Sequence, residues 1–341
     1  MKALAALLLL GAATAHADHP INRPEAIDVD RDMTPPGRGE FGFDGGGEVG
    51  TFALSLQTQF LDRPMRIHTV ERETFPVDHR ETAWLGGALS LGGSVVVDAR
   101  MPLSHQTGAR YAGFGDDRPL DRWVAGDLAL GARIRVFRGD RFGAFLRTAA
   151  TFGTGNDYQF AGEARYTLSW LLVGRAKLPH DIVLAATGGI RLRGAEVQVA
   201  DRLAGDEFLG GVGATVPIPG CLRLEGEIVG ALGDDVAKKR GPSPAEARIG
   251  VIAHPRDYFA FAVRIGGHID DQIGAPRFRA MLELIYTGPP VVERHREAPR
   301  DDDEEDDDDQ AIRTRSRNAD QAAARAIVPS SSSSRTCTHA G

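Results

Sequence analysis

The sequence predicts an all-β fold, a transmembrane antiparallel up-and-down β-barrel of about twelve strands. Three observations carry that expectation. Segments of roughly ten residues with strict apolar–polar alternation follow one another between residues 48 and 288. The connections between them alternate long and short. The last segment, Gly274 to Tyr286 (GAPRFRAMLELIY), reads as a closing strand. In it Phe278, Ala280, Leu282, Leu284 and Tyr286 share one face, and Arg279, Met281, Glu283 and Ile285 the other. A period of two puts each face in a different medium. The apolar face is bounded by the aromatics Phe278 and Tyr286, the other face carries one charge of each sign, and Pro289-Pro290 follows. Lipid outside, water inside and an aromatic at the interface account for that pattern.

The chain opens with an export signal. Met1-Lys2 is a short positive region, Ala3 to Ala13 an apolar core, and Ala15-His16-Ala17 a small-x-small cleavage pattern. The apolar run is too short to span a bilayer as a helix, and a buried N-terminal helix would not need the Ala-x-Ala ending. Residues 1–17 are therefore read as a signal peptide. Residues 18–47, rich in Pro, Asp, Arg and Gly without apolar period, read as a flexible N-terminal segment. The barrel is assigned to 48–288 and a disordered tail, acidic and then Ser/Arg-rich, to 289–341.

The first strand is expected at 49–60, with Phe52, Leu54, Leu56 and Phe60 opposite Ser55, Gln57 and Gln59. After polar 62–77, the second (78–91) sets Ala83, Leu85, Leu89 and Leu91 outward, and Gly92-Gly93 signals a hairpin. The third (94–104) sets Val95, Val97, Ala99, Met101 and Leu103 against Asp98 and Arg100. Following 105–121, the fourth (122–137) opposes Leu128, Leu130, Ala132, Ile134 and Val136 to Asp127, Arg133 and Arg135. The fifth (142–152) opposes Phe142, Leu146 and Phe152 to Arg147. The sixth (165–177) has Leu168, Trp170 and Leu172 outward, Ser169 and Arg175 inward; the seventh (182–193) points Thr187, Arg191 and Arg193 inward. The eighth (207–218) ends at Pro219-Gly220. In the ninth (221–232), Leu222, Leu224, Ile228 and Leu232 face away from Arg223, Glu225 and Glu227. The tenth (244–253) turns Glu246 and Arg248 inward, and the eleventh (258–267) turns Arg264 inward.

An even strand number with segregated loop lengths is how outer-membrane barrels are built, with long loops outside and short turns and both termini in the periplasm. A soluble β-sandwich also has regular turn signals, but nothing in it separates long connections from short ones. No stretch after the signal reaches the eighteen or more apolar residues of a membrane helix. Barrel strands carry too weak a hydropathy signal for that to exclude a membrane.

The net charge of −7 is dominated by the nine carboxylates Asp301–Asp309. A run of this kind reads as a self-repelling, solvated linker. It has no glycine for a sharp turn and no alternation of ligands, which weakens a Ca²⁺-site reading. Two cysteines, Cys221 and Cys337, fit neither a disulfide framework nor a metal site, and Cys221 is expected reduced beside a tight turn. No basic stripe with interleaved aromatics suggests nucleic acid, and no cofactor or metal is expected.

Pro102-Leu103, Gly126-Asp127-Leu128, Phe152-Gly153-Thr154-Gly155 with Phe160, Leu224-Glu225-Gly226-Glu227 and Gly274-Ala275-Pro276-Arg277-Phe278-Arg279 mark strands and turns. Over residues 48–290 this set resembles the N-terminal barrel of myxobacterial OmpA-family outer-membrane proteins. The resemblance implies a porin-like barrel followed by an Asp-rich linker and a peptidoglycan-binding domain. The linker has a counterpart in Asp301–Asp309, but residues 310–341 are of low complexity and match no such domain, so the wall-anchoring role is not carried over. An outer-membrane barrel further implies membrane lipid and lipopolysaccharide around it, the barrel-assembly machinery as a folding partner, and small solutes inside.

By parity Asp98, Arg100, Asp127, Arg133, Arg135, Arg147, Arg175, Arg191, Arg223, Glu225, Glu227, Arg248, Arg264, Arg279 and Glu283 share the lumen face. They either line a water-filled passage whose arginine excess favours anions or pair across the barrel and fill it. Twelve strands lie between the filled eight-stranded barrels and the open sixteen-stranded ones. Adhesion through loops 62–77 and 105–121 is a third possibility. A lipid hydrolase would need a serine beside an oriented base. No histidine is expected mid-strand, and Ser104-His105 is only a neighbour pair, so no enzyme is expected.

Overall fold

The computed structural model describes residues 49–288 apart from 66, 69–72, 93, 110–117, 157, 164, 200–201, 234–242, 257 and 270–273. The predicted signal peptide, the flexible N-terminal segment, Pro289-Pro290 and the tail with its acidic run lie outside the described residues.

Twelve long strands form the wall. They are β1 (Phe52–Asp62), β2 (Val77–Gly92), β3 (Val95–Gly108), β4 (Leu128–Arg138), β5 (Phe142–Phe152) and β6 (Thr167–Lys177). The other six are β7 (Val183–Arg193), β8 (Glu207–Pro217), β9 (Leu222–Gly233), β10 (Ala245–Arg256), β11 (Phe259–His268) and β12 (Phe278–Gly288). Each pairs antiparallel with the next, and β12 returns to β1 from Phe52↔Gly288 to Asp62↔Phe278. That closure leaves the wall without a free edge, the condition for placing backbone N–H and C=O groups in hydrocarbon.

The two faces separate as alternation requires. Leu54, Leu85, Leu172, Ile228, Val263 and Leu282 point outward and are exposed, Leu85 by 64 %. An exposed apolar belt running around every strand has no counterpart on soluble monomers, and lipid is the solvent that suits it. At the short-turn end of the belt Tyr286 sits within 5.3–6.2 Å of the rings of Phe259, Phe52 and Tyr258. Phe278 marks the other end of the same strand, opposite Asp62. Inside, Ala53, Ala88, Val96 and Ile285 form a small apolar plug low in the wall.

Connections 93–94, 139–141, 178–182, 218–221 and 257–258 gather at one end, with a three-residue 3-10 turn at Pro179–Asp181. The described parts of the longer connections, which follow β1, β3, β5, β7, β9 and β11, lie at the other. Two of the long ones contain small hairpins, Ile67–His68 with Glu73–Thr74 and Val197–Val199 with Arg202–Ala204.

Several expected boundaries move for identifiable reasons. The closing strand begins at Phe278 instead of Gly274, because Gly274 turns the chain at φ 91°. The expected fourth strand is broken: Trp123–Ala125 pairs with β3, Gly126-Asp127 interrupts, and β4 resumes at Leu128. β3 runs to Gly108, β10 to Arg256 with a bulge between Ala253 and Arg256, and β11 to His268, so His105, His254 and His268, expected in loops or turns, are strand residues. Cys221, expected as a thiol, is disulfide-bonded; the chain's other cysteine, Cys337, is outside the described residues.

Leu282 lies midway between the two aromatics of β12, level with Thr58 and Val263. Leu282→Arg should therefore lower the unfolding free energy in lipid vesicles by about 2–4 kcal/mol. Gln57→Arg, one residue away on the lumen face opposite Glu283, should change it by less than about 1 kcal/mol. Urea titration of the folded fraction by tryptophan fluorescence checks both.

Candidate functional site: the charged lumen

The lumen has two unlike walls. On β9–β12 the charges are paired. Glu227 stands directly across from Arg248 in the sheet, at 3.3 Å through Nη1. Arg248 also donates to Glu246 twice, Nε to Oε1 at 2.9 Å and Nη2 to Oε2 at 3.1 Å. Arg279 adds Nε to the same Glu246 oxygen at 2.8 Å and reaches Gln59 of β1 at 2.6 Å through Nη1. A second knot joins Arg264 to Glu225 through Nε and to Glu283 at 2.8 Å through Nη1. Glycines make both knots possible. Gly250 separates Glu225 from Arg264 across the sheet, and a Cβ there would stand 2.7 Å from Arg264 Cγ. At Gly266 a Cβ would come within 2.8 Å of Arg248 Cγ. Charge-assisted bonds of this kind are strong and hold the four strands in fixed register from the inside.

On β3–β7 the face is dominated by arginine. Arg100 stacks over Trp84 with its guanidinium 5.1 Å from the ring, and Arg133 over Phe145 at 5.1 Å. Arg133 and Arg147 are directly opposed and both buried. Like charges in that position repel. Arg135 and Arg175 lie further toward the short-turn end, where Arg223 is exposed at the start of β9. Asp98 stands opposite Gly131, where a Cβ would meet its carboxylate.

The connection 153–166 enters the barrel at the long-loop end. Phe160 is 0 % exposed, with a left-handed φ of 55°. Arg80 grips this segment from β2, donating Nη2 to the carbonyls of Phe160 at 2.7 Å and Gln159 at 3.2 Å, while Nε holds Gln106 at 3.1 Å. Gln106 itself donates to the Gln159 carbonyl at 3.0 Å. Asp127 accepts the N–H groups of Gly155 and Glu163, each at 2.8 Å. That double acceptance is why the strand breaks at Gly126-Asp127. On the far side Glu163 pairs with Arg193, which also meets Glu207 at 3.3 Å, and Arg191 meets Glu207 at 3.4 Å. The segment thus reaches from β2 to β7.

Of the fifteen residues expected on the lumen face, the structure gathers Glu225, Glu227, Arg248, Arg264, Arg279 and Glu283 into the paired wall. Asp98, Arg100, Arg133, Arg147 and Arg191 belong to the mainly basic wall, Asp127 to the loop latch, and Arg135, Arg175 and Arg223 to the short-turn mouth. Glu246 and Arg193 had inward parity but stood outside the candidate set. Arg80 and Glu207 had the same parity signal unread. Gln159, Phe160 and Glu163 carried none, being in an aperiodic segment.

A cavity of about 430 Å³ opens at the short-turn end, lined among others by Arg135, Arg138, Arg175, Lys177 and Phe145. A smaller space of about 60 Å³ lies between Trp84, Arg100, Arg147, Glu163 and Arg191. The Ser104-His105 pair does not form a nucleophile and base. Ser104 points inward and shares a 3.0 Å hydrogen bond with Thr82, whereas the His105 ring lies outside, 4.9 Å from Trp123. Among the described residues no cluster of His, Cys, Asp and Glu could hold a metal ion.

No family model matches the sequence, and no curated protein matches it. The OmpA-family resemblance therefore has no sequence-level support. Among solved structures the chain is similar to the COG4313 outer membrane channel from Pseudomonas putida F1. The TM-score is 0.52 at 13 % identity, over 72 % of this chain and 98 % of that one. Looser likenesses are the NanC porin (0.46, 6 %, 69 % and 100 %) and the translocator domain of autotransporter NalP from Neisseria meningitidis (0.44, 12 %, 72 % and 91 %). The first of these shows a shared barrel fold.

Glu246 is 0 % exposed and takes donors from two arginines. Glu246→Ala removes the carboxylate shared by both cations, leaving Arg248 to Glu227 and Arg279 to Gln59, and should cost about 3–5 kcal/mol of unfolding free energy, read by denaturant titration in detergent.

Proposed function

We propose that this chain is an outer-membrane barrel through which small solutes pass, with anions favoured, and that its short-turn end and both termini face the periplasm. Lipid and lipopolysaccharide would surround the apolar belt, and the barrel-assembly machinery would insert it. A relationship to the barrels of myxobacterial OmpA-family proteins, carried by the Gly274–Arg279 and Phe152–Gly155 motifs, is part of the same proposal.

The observation that supports anion preference is the asymmetry of the lumen. The carboxylates of β9–β12 are engaged with arginines of their own wall, which leaves the β3–β7 wall with a cationic surplus. A row of arginines beside a water-filled path lowers the barrier for anions and raises it for cations. Passage needs no catalytic group.

A second reading has its own support. The 153–166 segment, with Phe160 fully buried and both sides latched, fills part of the lumen, as in a closed structural barrel or one that acts through its loops.

Planar-bilayer recording separates the two. The purified full chain should give discrete current steps, with a reversal potential in a KCl gradient that favours chloride. Replacing Arg133 and Arg147 together by Gln should move that potential toward zero. A silent membrane with the parent chain would contradict passage. Arg80→Ala, which removes the grip on the Phe160 and Gln159 carbonyls, should enlarge the current step or its flicker; an unchanged trace would mean the segment does not limit flow.

A further inference from the structure

The cavity at the short-turn end is built differently from the rest of the lumen. Five of its lining residues are basic, Arg135, Arg138, Arg141, Arg175 and Lys177, against one carboxylate, Asp140. Sheet register places Arg138, Gly143 and Arg175 in one row across β4, β5 and β6, with Arg135 and Phe145 in the row beneath. Gly143 forms an open floor: a Cβ there would meet nothing nearer than the Phe137 carbonyl, at 3.8 Å. The rim is held by backbone. Lys177 N donates to the Arg141 carbonyl at 2.7 Å and Gly139 N to the Phe142 carbonyl at 2.8 Å, which fixes the 139–141 turn against β6. Lys177 also meets Asp181 at 2.8 Å, and Arg138 and Arg175 flank Gly143 on either side.

We infer that this cavity is a binding site for compact multivalent anions carrying phosphate or carboxylate groups, entered from the short-turn mouth. Two guanidinium forks on either side of a bare glycine match the planar, two-oxygen geometry of such groups. About 430 Å³ is within the range of small-molecule sites, and Phe145 and Val183 give one side an apolar surface. The same chemistry could come from a lipid headgroup. Register sets Arg138 and Arg175 on the face of buried Phe145, which favours a solute, while the outward Phe137 and Phe142 line the cavity's other side.

The inference deepens the passage reading by giving the anions a docking point, but binding can be measured without any current. Calorimetry of the full chain in neutral detergent, titrated with inorganic pyrophosphate, should show one site whose affinity falls as salt rises. The Arg138→Gln, Arg175→Gln double variant should bind at least about tenfold more weakly. Gly143→Leu fills the floor without removing charge and should weaken binding comparably. Arg122→Gln, at an exposed position on the long-loop side, should bind as the parent does. Heat-modifiable migration confirms that each variant is folded.

No heat with the parent, or equal binding by parent and Gly143→Leu, would overturn the inference. So would loss of pyrophosphate binding on transfer to nanodiscs rich in phosphatidylglycerol, which would make the site a lipid one. In bilayers, pyrophosphate on the short-turn side should reduce the chloride current of the parent but not of the double variant. A parent that binds pyrophosphate yet carries no current would refute passage and leave the site standing.

Discussion

The structure depends on one closure, the antiparallel pairing of β12 with β1. Water cannot satisfy a strand's backbone groups inside hydrocarbon, so every N–H and C=O in the belt must find a partner in the wall. An open sheet of these strands would expose two edges at a depth where each orphan group costs several kcal/mol. Eleven residues of β1 meet eleven of β12, and that pairing turns a set of amphipathic hairpins into a vessel with an inside.

Once the wall is closed, its inner face has to hold charge in a confined space, and the two halves solve this differently. On β9–β12 acids and bases stand close enough to neutralise one another, and bare glycines let long side chains lie across the sheet. Such knots fix register as much as they stabilise, because removing either partner leaves a buried charge. On β3–β7 arginines outnumber carboxylates and lie over aromatic rings and around small cavities, so this half of the lumen is net cationic. The 153–166 segment is held at the long-loop end between Arg80 of β2 and Arg193 of β7, while a basic cavity opens at the short-turn end.

Much of this was legible from the sequence because a period of two is both the strand's geometry and the membrane's demand. The alternation in Phe278–Tyr286 and Leu222–Leu232 gave faces, strand number and loop order. Parity likewise placed Arg264, Glu225 and Glu283 on one surface, although it could not say that Gly250 lets the first two touch. What stayed hidden was non-periodic. Phe160 and Glu163 enter the lumen from a segment whose path is set by tertiary contacts with Arg80, Asp127 and Arg193, far away in the chain. The break at Gly126-Asp127 has the same origin: local pattern favoured a continuous strand, and the crossing loop's need for two acceptors prevailed. Histidine placement failed for a simpler reason, since β3 and β10 extend beyond the belt into polar sequence where alternation fades.

A nitroxide scan along β12 reads out which of its faces meets hydrocarbon and which meets water. With the chain in lipid vesicles, single labels from residue 278 to 286 are probed for collisions with dissolved oxygen, which concentrates in hydrocarbon, and with a water-soluble paramagnetic complex. A two-residue oscillation is expected, with oxygen maxima at 280, 282 and 284 and aqueous maxima at 279 and 283. Equal accessibility along the strand, or a chain that stays dispersed in buffer without lipid or detergent, would contradict it.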